Sequence, residues 1–93
     1  MKIRIISSRE EISTVSPKER HVHLAFFPAT QDLYELLDTC PRVESIGVQR
    51  SQISRLAKAS VNLLERERIK LIEGDGLMQG KHTEKDPYYY IKP

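Results

Sequence analysis

The stretch from residue 42 to residue 75 constrains the fold most, because it has the pattern of a strand, a crossover helix and a second strand. Residues 43–48 alternate between apolar and polar side chains and are partly β-branched. Residues 69–75 form a second such run, which ends in a turn of acidic residues and glycine. The intervening apolar residues recur at steps of three and four, which predicts one helix over residues 51–66 with Ser51 as its N-cap. They are Ile53, Leu56, Ala57, Val61 and Leu64. Two strands joined by a helix predict a parallel, right-handed crossover.

The remaining chain repeats the same alternation. A strand over residues 2–6 precedes a short helix through Ile12 and Val15, which Pro17 ends. A strand over residues 21–27 is closed by Pro28, and Thr30 caps a helix that Pro41 stops. We therefore predict an α/β fold, a small single domain whose four-stranded, mainly parallel sheet is built from repeated strand-helix units.

The sequence becomes polar and loses its periodicity near its C-terminal end. We therefore predict a domain over residues 1–76 and a polar tail over residues 77–93. The tail ends in a short tyrosine-rich run, residues 88–91, which either returns as an edge strand or docks on a neighbouring subunit. In the domain, the apolar residues of the strands form the core and are covered from the helices. The covering residues are Leu36, Leu37, Leu56, Ala57 and Leu64.

Composition narrows the class of protein without naming an activity. The chain has 93 residues, of which 39% are hydrophobic and 30% charged, as expected for one folded domain with a modest core that a homodimer would enlarge. It contains no apolar run of about 20 residues, as a membrane helix requires, and a single cysteine, so we expect a cytoplasmic protein that binds no membrane. A net charge of +2 is too small to identify a polyanionic partner.

Several motifs resemble those of one family. The opening run of residues 1–12, the strand at residues 22–26, Cys40-Pro41 and the turn at residues 72–75 are similar to a family of short archaeal proteins, catalogued as domain of unknown function 1699. The resemblance implies an archaeal, cytosolic protein. It implies no activity, substrate, cofactor or catalytic residue.

A basic stripe is the first candidate site. Arg55, Lys58, Asn62 and Arg66 follow one another at steps of three and four, with Arg50 near the start of the predicted helix. Such a stripe can neutralise phosphates, although an ordinary solvated helix face has the same composition. We expect a non-catalytic binding module whose basic helix face meets nucleic acid or an acidic protein.

A regulator of the helix-turn-helix class is an alternative. Residues 46–56 have the look of a turn and a recognition helix, with Ser51, Gln52 and Arg55 directed at the major groove. The residues before them favour a strand, so this interpretation ranks second.

A small enzyme or metal-binding protein is the third interpretation. Glu73 and Asp75 lie where the last predicted strand ends, and their carboxylates could hold a divalent cation or act as acid and base, although turn chemistry favours a simple turn there. His21 and His23 lie two residues apart and therefore share a sheet face, a pattern typical of a metal pair or of side chains that fill a partly covered face. Cys40 shares an apolar helix face with leucines and is expected to be a buried hydrophobic residue. We predict no cofactor and assign no catalytic residue.

Overall fold

A computed structural model describes residues 2–74 and 88–90 of the chain. Its strands are β1 (Lys2–Ile6), β2 (His21–Leu24), β3 (Ser45–Val48), β4 (Lys70–Glu73) and β5 (Tyr88–Tyr90). A 3₁₀-helix (Arg9–Thr14) follows β1, and the α-helices are α1 (Thr30–Thr39), α2 (Arg50–Ile53) and α3 (Lys58–Arg66). None of the helices in these two ranges is long and apolar enough to cross a membrane.

The strands form one sheet in the order β4-β3-β2-β1-β5. The first four are parallel neighbours, in a register that sets Ile6 opposite Leu24, Val22 opposite Ile46 and Val48 opposite Glu73. The predicted four-stranded parallel sheet is therefore confirmed. Of the two alternatives for the tyrosine run, the structure has the edge strand, because β5 pairs antiparallel with β1.

One face of the sheet carries the main core. Each parallel strand lies beside its predecessor, so right-handed crossovers place all the connecting helices on the same face. Side chains from alternate strand positions meet the 3₁₀-helix, α1 and α3 there in a single buried cluster. Its innermost members, all at most 1% exposed, are Ile6, Ile12, Val22, Leu24, Leu33, Leu36, Cys40, Ile46 and Val48.

The opposite face is also apolar near β1 and β2. Ile3 and Ile5 are buried at 4% and 1% exposure, and His23 is fully buried. They alternate along their strands with the residues of the helix-covered core, so they lie on the other side of the sheet. Burial on both faces explains why β1 is apolar at three of its five positions.

The predicted single helix over residues 51–66 is wrong, because the chain breaks between α2 and α3. Bonds from Arg55 N to Gln52 O (3.0 Å) and from Leu56 N to Ile53 O (3.3 Å) wind the end of α2 more tightly than an α-helix. Ala57 is then extended, with a ψ of 145°, and becomes the N-cap of α3. Ala57 is consequently exposed rather than packed on the sheet, and Gln49 rather than Ser51 is the N-cap of α2.

Two other boundaries differ from the sequence prediction. β2 ends at Leu24, and Phe26 lies in a bend where it packs, partly buried, against the core. At the start of α1 the N-cap is Ala29, whose backbone N–H donates to the Asp32 carboxylate at 2.8 Å. Thr30, predicted as the cap, instead shares a hydrogen bond of 2.7 Å with the hydroxyl of Ser60 and so joins α1 to α3.

The end of α3 is a Schellman motif with an arginine where glycine is usual. Ile69 N donates to Leu64 O at 2.8 Å and Arg68 N to Glu65 O at 3.1 Å. Arg68 has a φ of 59°, in the left-handed region. Ile69 and Leu64 are both buried in the core, so packing across the motif holds the chain in this conformation and directs it into β4.

Candidate nucleic-acid interface

The five residues of the predicted basic stripe lie on one connection of the fold, between β3 and β4. Arg50 begins α2, Arg55 lies in the turn between the helices, and Lys58 begins α3. Asn62 and Arg66 follow one and two turns further along α3. All five are exposed, and we call them the basic surface. They do not form one continuous helix face, because Arg55 lies in the turn.

The three α3 members of the basic surface point away from the core. Positions four apart on a helix lie on one side, which Lys58, Asn62 and Arg66 therefore share. The buried residues of the same helix are Ser60, Leu63 and Leu64. Core packing thus fixes the rotation of α3, and that rotation presents the cations and the Asn62 amide to solvent.

The charges on the basic surface are only partly compensated. Arg50 Nε lies 3.7 Å from Glu73 Oε2, and both side chains are more than half exposed, so this pair contributes little stability. Within residues 2–74 and 88–90, no acidic side chain lies within ion-pair distance of Arg55, Lys58 or Arg66. Glu65 is exposed one residue before Arg66 and reduces the local positive charge. The spacing of the cations in the sequence indicates neither the effect of Glu65 nor the pairing of Arg50 with Glu73.

The structure describes only one of the two carboxylates of the proposed Glu73–Asp75 ligand loop. Glu73 ends β4 at the edge of the sheet, exposed and paired with Arg50, while Asp75 lies outside the described residues. Ligands of open parallel sheets bind where the strand order reverses, and β1 to β4 follow one another without reversal. Among the residues that the structure describes, no three His, Cys, Asp or Glu side chains are grouped as a metal site.

The histidines share one sheet face, as predicted, but have different surroundings. His21 is half-buried, and its Nδ1 lies 2.7 Å from the hydroxyl oxygen of Ser45 on the neighbouring strand. The fully buried imidazole of His23 lies against Gly47 in β3 and against Gly74 just after β4. A Cβ on Gly47 would lie 2.8 Å from His23 Nδ1, and one on Gly74 would lie closer still. These two glycines therefore leave the space that the His23 ring fills.

Cys40 is a buried core residue, as predicted. It is 0% exposed at the end of α1, and its thiol donates to the backbone oxygen of Ser16 at 3.3 Å. Burial raises the pKa of the Cys40 thiol, and the nearby carboxylate of Glu19 raises it further.

We expect the Cys40 thiol to be inert in the folded protein, because thiolate is the nucleophile and burial disfavours it. With the thiol reagent DTNB at pH 8, the native chain should react at least about a hundredfold more slowly than the chain unfolded in guanidinium chloride. Because the folded pKa is raised, the contribution of Cys40 to stability is complete below the pKa of an unfolded thiol, about 8.5. It falls as pH rises through the folded pKa. Rapid native labelling would contradict this.

The helix-turn-helix alternative lacks its first helix. Residues 43 and 44 are not helical, and residues 45–48, where the proposed turn begins, form β3 in the interior of the sheet, hydrogen-bonded on both sides to β2 and β4. The helix-turn-helix motif needs a helix at that place. Residues 50–53 form the short α2, and Gln52 is partly buried there rather than directed at solvent. This interpretation is therefore wrong.

Fold and surface together define a small α/β domain with a parallel four-stranded core sheet and an exposed group of cations on its last crossover. The chain belongs to the family of unknown function DUF1699, since the family model of its N-terminal domain matches residues 2–86. The match extends past Asp75, the last residue that carried the resemblance. The archaeal source stays a prediction. Neither the curated proteins nor the solved structures include a match to this chain.

Proposed function

We propose that the protein is a non-catalytic binding module whose basic surface binds the phosphates of nucleic acid. One observation carries the proposal: Arg55, Lys58 and Arg66 are exposed, and no acidic group of the described residues lies within ion-pair distance of them. A cation outside ion-pair distance of a carboxylate loses less Coulomb energy when a phosphate arrives than a paired cation does. The pair of Arg50 with Glu73 is exposed and weak, so a phosphate can replace it.

The chemistry of the basic surface favours nucleic acid over an acidic protein. Stable protein interfaces usually have an apolar centre inside a polar rim. The large hydrophobic side chains that the structure shows exposed are Phe27 and Tyr34, which precede and lie within α1 rather than on the basic surface. A surface of cations and one amide suits phosphate oxygens, since these are contacted by Arg, Lys and Asn side chains.

The dimensions of α3 limit the size of the interface. Lys58 and Arg66 are eight residues apart, which corresponds to roughly 12 Å along a helix. Nucleic acid carries one charge per about 3.4 Å of each strand, so α3 spans roughly three to four phosphates. We therefore expect weak, salt-sensitive binding without a strong sequence preference.

The test is fluorescence anisotropy of labelled single-stranded and duplex oligonucleotides with 5′-hydroxyl ends, titrated with the protein at low salt. Replacing Arg55 and Lys58 by alanine should weaken binding about three- to thirtyfold, taking roughly 0.3 to 1 kcal/mol for each exposed charge pair. Replacing Glu65 by glutamine should strengthen binding, because it removes a negative charge beside Arg66.

The matched control is the double change Lys18→Ala and Arg20→Ala, which removes the same charge from exposed positions before β2. It should change the affinity for these oligonucleotides by less than the Arg55 and Lys58 changes do. Equal loss in the two double variants would show that only overall charge matters. Absence of binding by the wild-type chain at low salt would overturn the proposal, and binding to an acidic protein alone would replace nucleic acid with that class of partner.

The homodimer predicted from the small core is a separate proposal. Two edges of the sheet are available for pairing in the described part of the chain, β4 on one side and β5 on the other.

A further inference from the structure

A second group of cations surrounds a cavity at the amino end of the sheet, far from α3 in sequence. The cavity measures about 520 Å³ and is lined from three parts of the chain. Lys2 lies in β1 and Tyr88 in β5. Residues 18–20 belong to the loop before β2, and His21 is the first residue of β2. Its volume falls in the range of small-molecule sites. We call it the amino-end pocket.

The charge of the amino-end pocket favours an anion. Lys2, Lys18 and Arg20 line it, and among the described residues of its lining Glu19 is the one carboxylate. The Glu19 carboxylate accepts a hydrogen bond from the Tyr88 hydroxyl. Arg20 pairs with Glu44 at 3.6 Å, but both side chains are more than half exposed, so the pair is weak and can be exchanged for a ligand.

Contacts inside the pocket hold two of its polar groups in place. The ammonium of Lys2 lies 3.9 Å from the centre of the Tyr88 ring, a cation–π contact that restrains the lysine. The bond between His21 Nδ1 and the Ser45 hydroxyl fixes the imidazole. Nε2 is then the ring nitrogen that remains for a ligand, since no described residue hydrogen-bonds to it.

We propose that the amino-end pocket binds a phosphate monoester through Lys18, Arg20 and His21. Several cations around one site suit a dianion better than a single carboxylate, and a planar guanidinium can bind two phosphate oxygens at once. The cavity is larger than a phosphate group, so the remaining volume receives the organic part of the ligand. A metal ion is disfavoured, because one imidazole and one carboxylate stand there among three cations. The amino-end pocket shares no residue with the basic surface, so the two proposals can be tested separately.

Phosphate monoesters have two sources, free metabolites and the 5′ ends of nucleic acid, and paired probes separate them. We would follow the His21 ring and the Lys18 amide by NMR while adding AMP or adenosine, and 5′-phosphorylated or 5′-hydroxyl trinucleotides. Shifts with AMP and not with adenosine assign the pocket to small organic phosphates. Shifts with the phosphorylated trinucleotide and not with AMP assign it to nucleic-acid ends.

Variants decide whether the pocket itself binds. The double change Lys18→Ala and Arg20→Ala should weaken the affinity for the phosphorylated probe about tenfold or more, by loss of two charge-assisted contacts. The change Arg55→Ala with Lys58→Ala removes equal charge from the basic surface, and it should alter the affinity read from the His21 and Lys18 resonances of the pocket less than twofold. Circular dichroism of each variant checks that it folds. The proposal is overturned if neither phosphorylated probe shifts the pocket resonances, or if the two double variants bind it equally well.

Discussion

Replacing Leu36 by alanine should lower the free energy of unfolding by about 2 to 5 kcal/mol. Leu36 is 0% exposed on α1, in the cluster that joins α1 to the sheet, so its removal leaves a cavity. A small domain has a total stability of about 5 to 15 kcal/mol, so this one change should remove a large fraction of it. Urea unfolding followed by circular dichroism measures the shift.

The neighbouring leucine provides a matched control with the same chemical change. Leu37 was predicted to cover the sheet equally, but the structure leaves it partly exposed at the border of the core. Leu37→Ala should therefore cost clearly less than Leu36→Ala. If both changes cost the same, or if Leu37→Ala costs more, the placement of Leu36 inside the core and of Leu37 at its border is incorrect.

Replacing Gly47 by alanine should destabilise the protein by about 1 to 3 kcal/mol, through overpacking. The added Cβ would lie 2.8 Å from Nδ1 of the His23 ring, which is fully buried and which also lies against Gly74. A loss of stability would be informative, because replacing a glycine inside a strand by alanine usually stabilises a protein. None of the described glycines has a positive φ, so Gly47 is required for space and not for its backbone conformation.

A double-mutant cycle with His23→Ala isolates the clash. In the His23→Ala background, the imidazole is absent and Gly47→Ala should be neutral or stabilising. The difference between the two backgrounds, measured by urea unfolding, is the coupling free energy between the added methyl group and the His23 ring. Equal destabilisation in both backgrounds would show that the added methyl group meets something other than the His23 ring.

The main architecture was predictable because it follows from local patterns. Alternating runs and helical periodicity place β1, β2, β3 and β4 and the helix α1 within a few residues. Short connections between those runs then leave a parallel sheet as the natural arrangement. The burial of Leu36 and Cys40 on one side of α1 follows from the same periodicity.

The break between α2 and α3 was not predictable, because no proline or glycine marks it. Residues 53–57 have ordinary helix-forming composition, and the periodicity continues through them. Tertiary packing accompanies the break: α3 starts at Lys58, after the extended N-cap Ala57, and Ser60, which the periodicity did not select, is buried and hydrogen-bonded to Thr30 of α1. The basic surface survives the break, since its α3 members keep their spacing of four residues.

Contacts between distant segments could not be predicted from the sequence either. The amino-end pocket joins Lys2, the Lys18–His21 segment and Tyr88, and their proximity depends on β5 returning to β1. The packing of His23 on Gly47 depends on the register of β2 against β3. A one-residue change of register would move every side chain to the other face, and no local pattern here fixes that register.

The most direct test of the binding function is the salt dependence of the affinity for a single-stranded oligonucleotide. The logarithm of the association constant falls with the logarithm of salt concentration by about 0.7 per phosphate neutralised on a single strand. Removing Arg55, Lys58 and Arg66 together should reduce that slope by about 2 if all three contact phosphates. The protein should remain folded, because exposed substitutions usually change stability by less than about 0.5 kcal/mol each. A slope that is the same in the triple variant and in the wild-type chain would contradict the proposed interface.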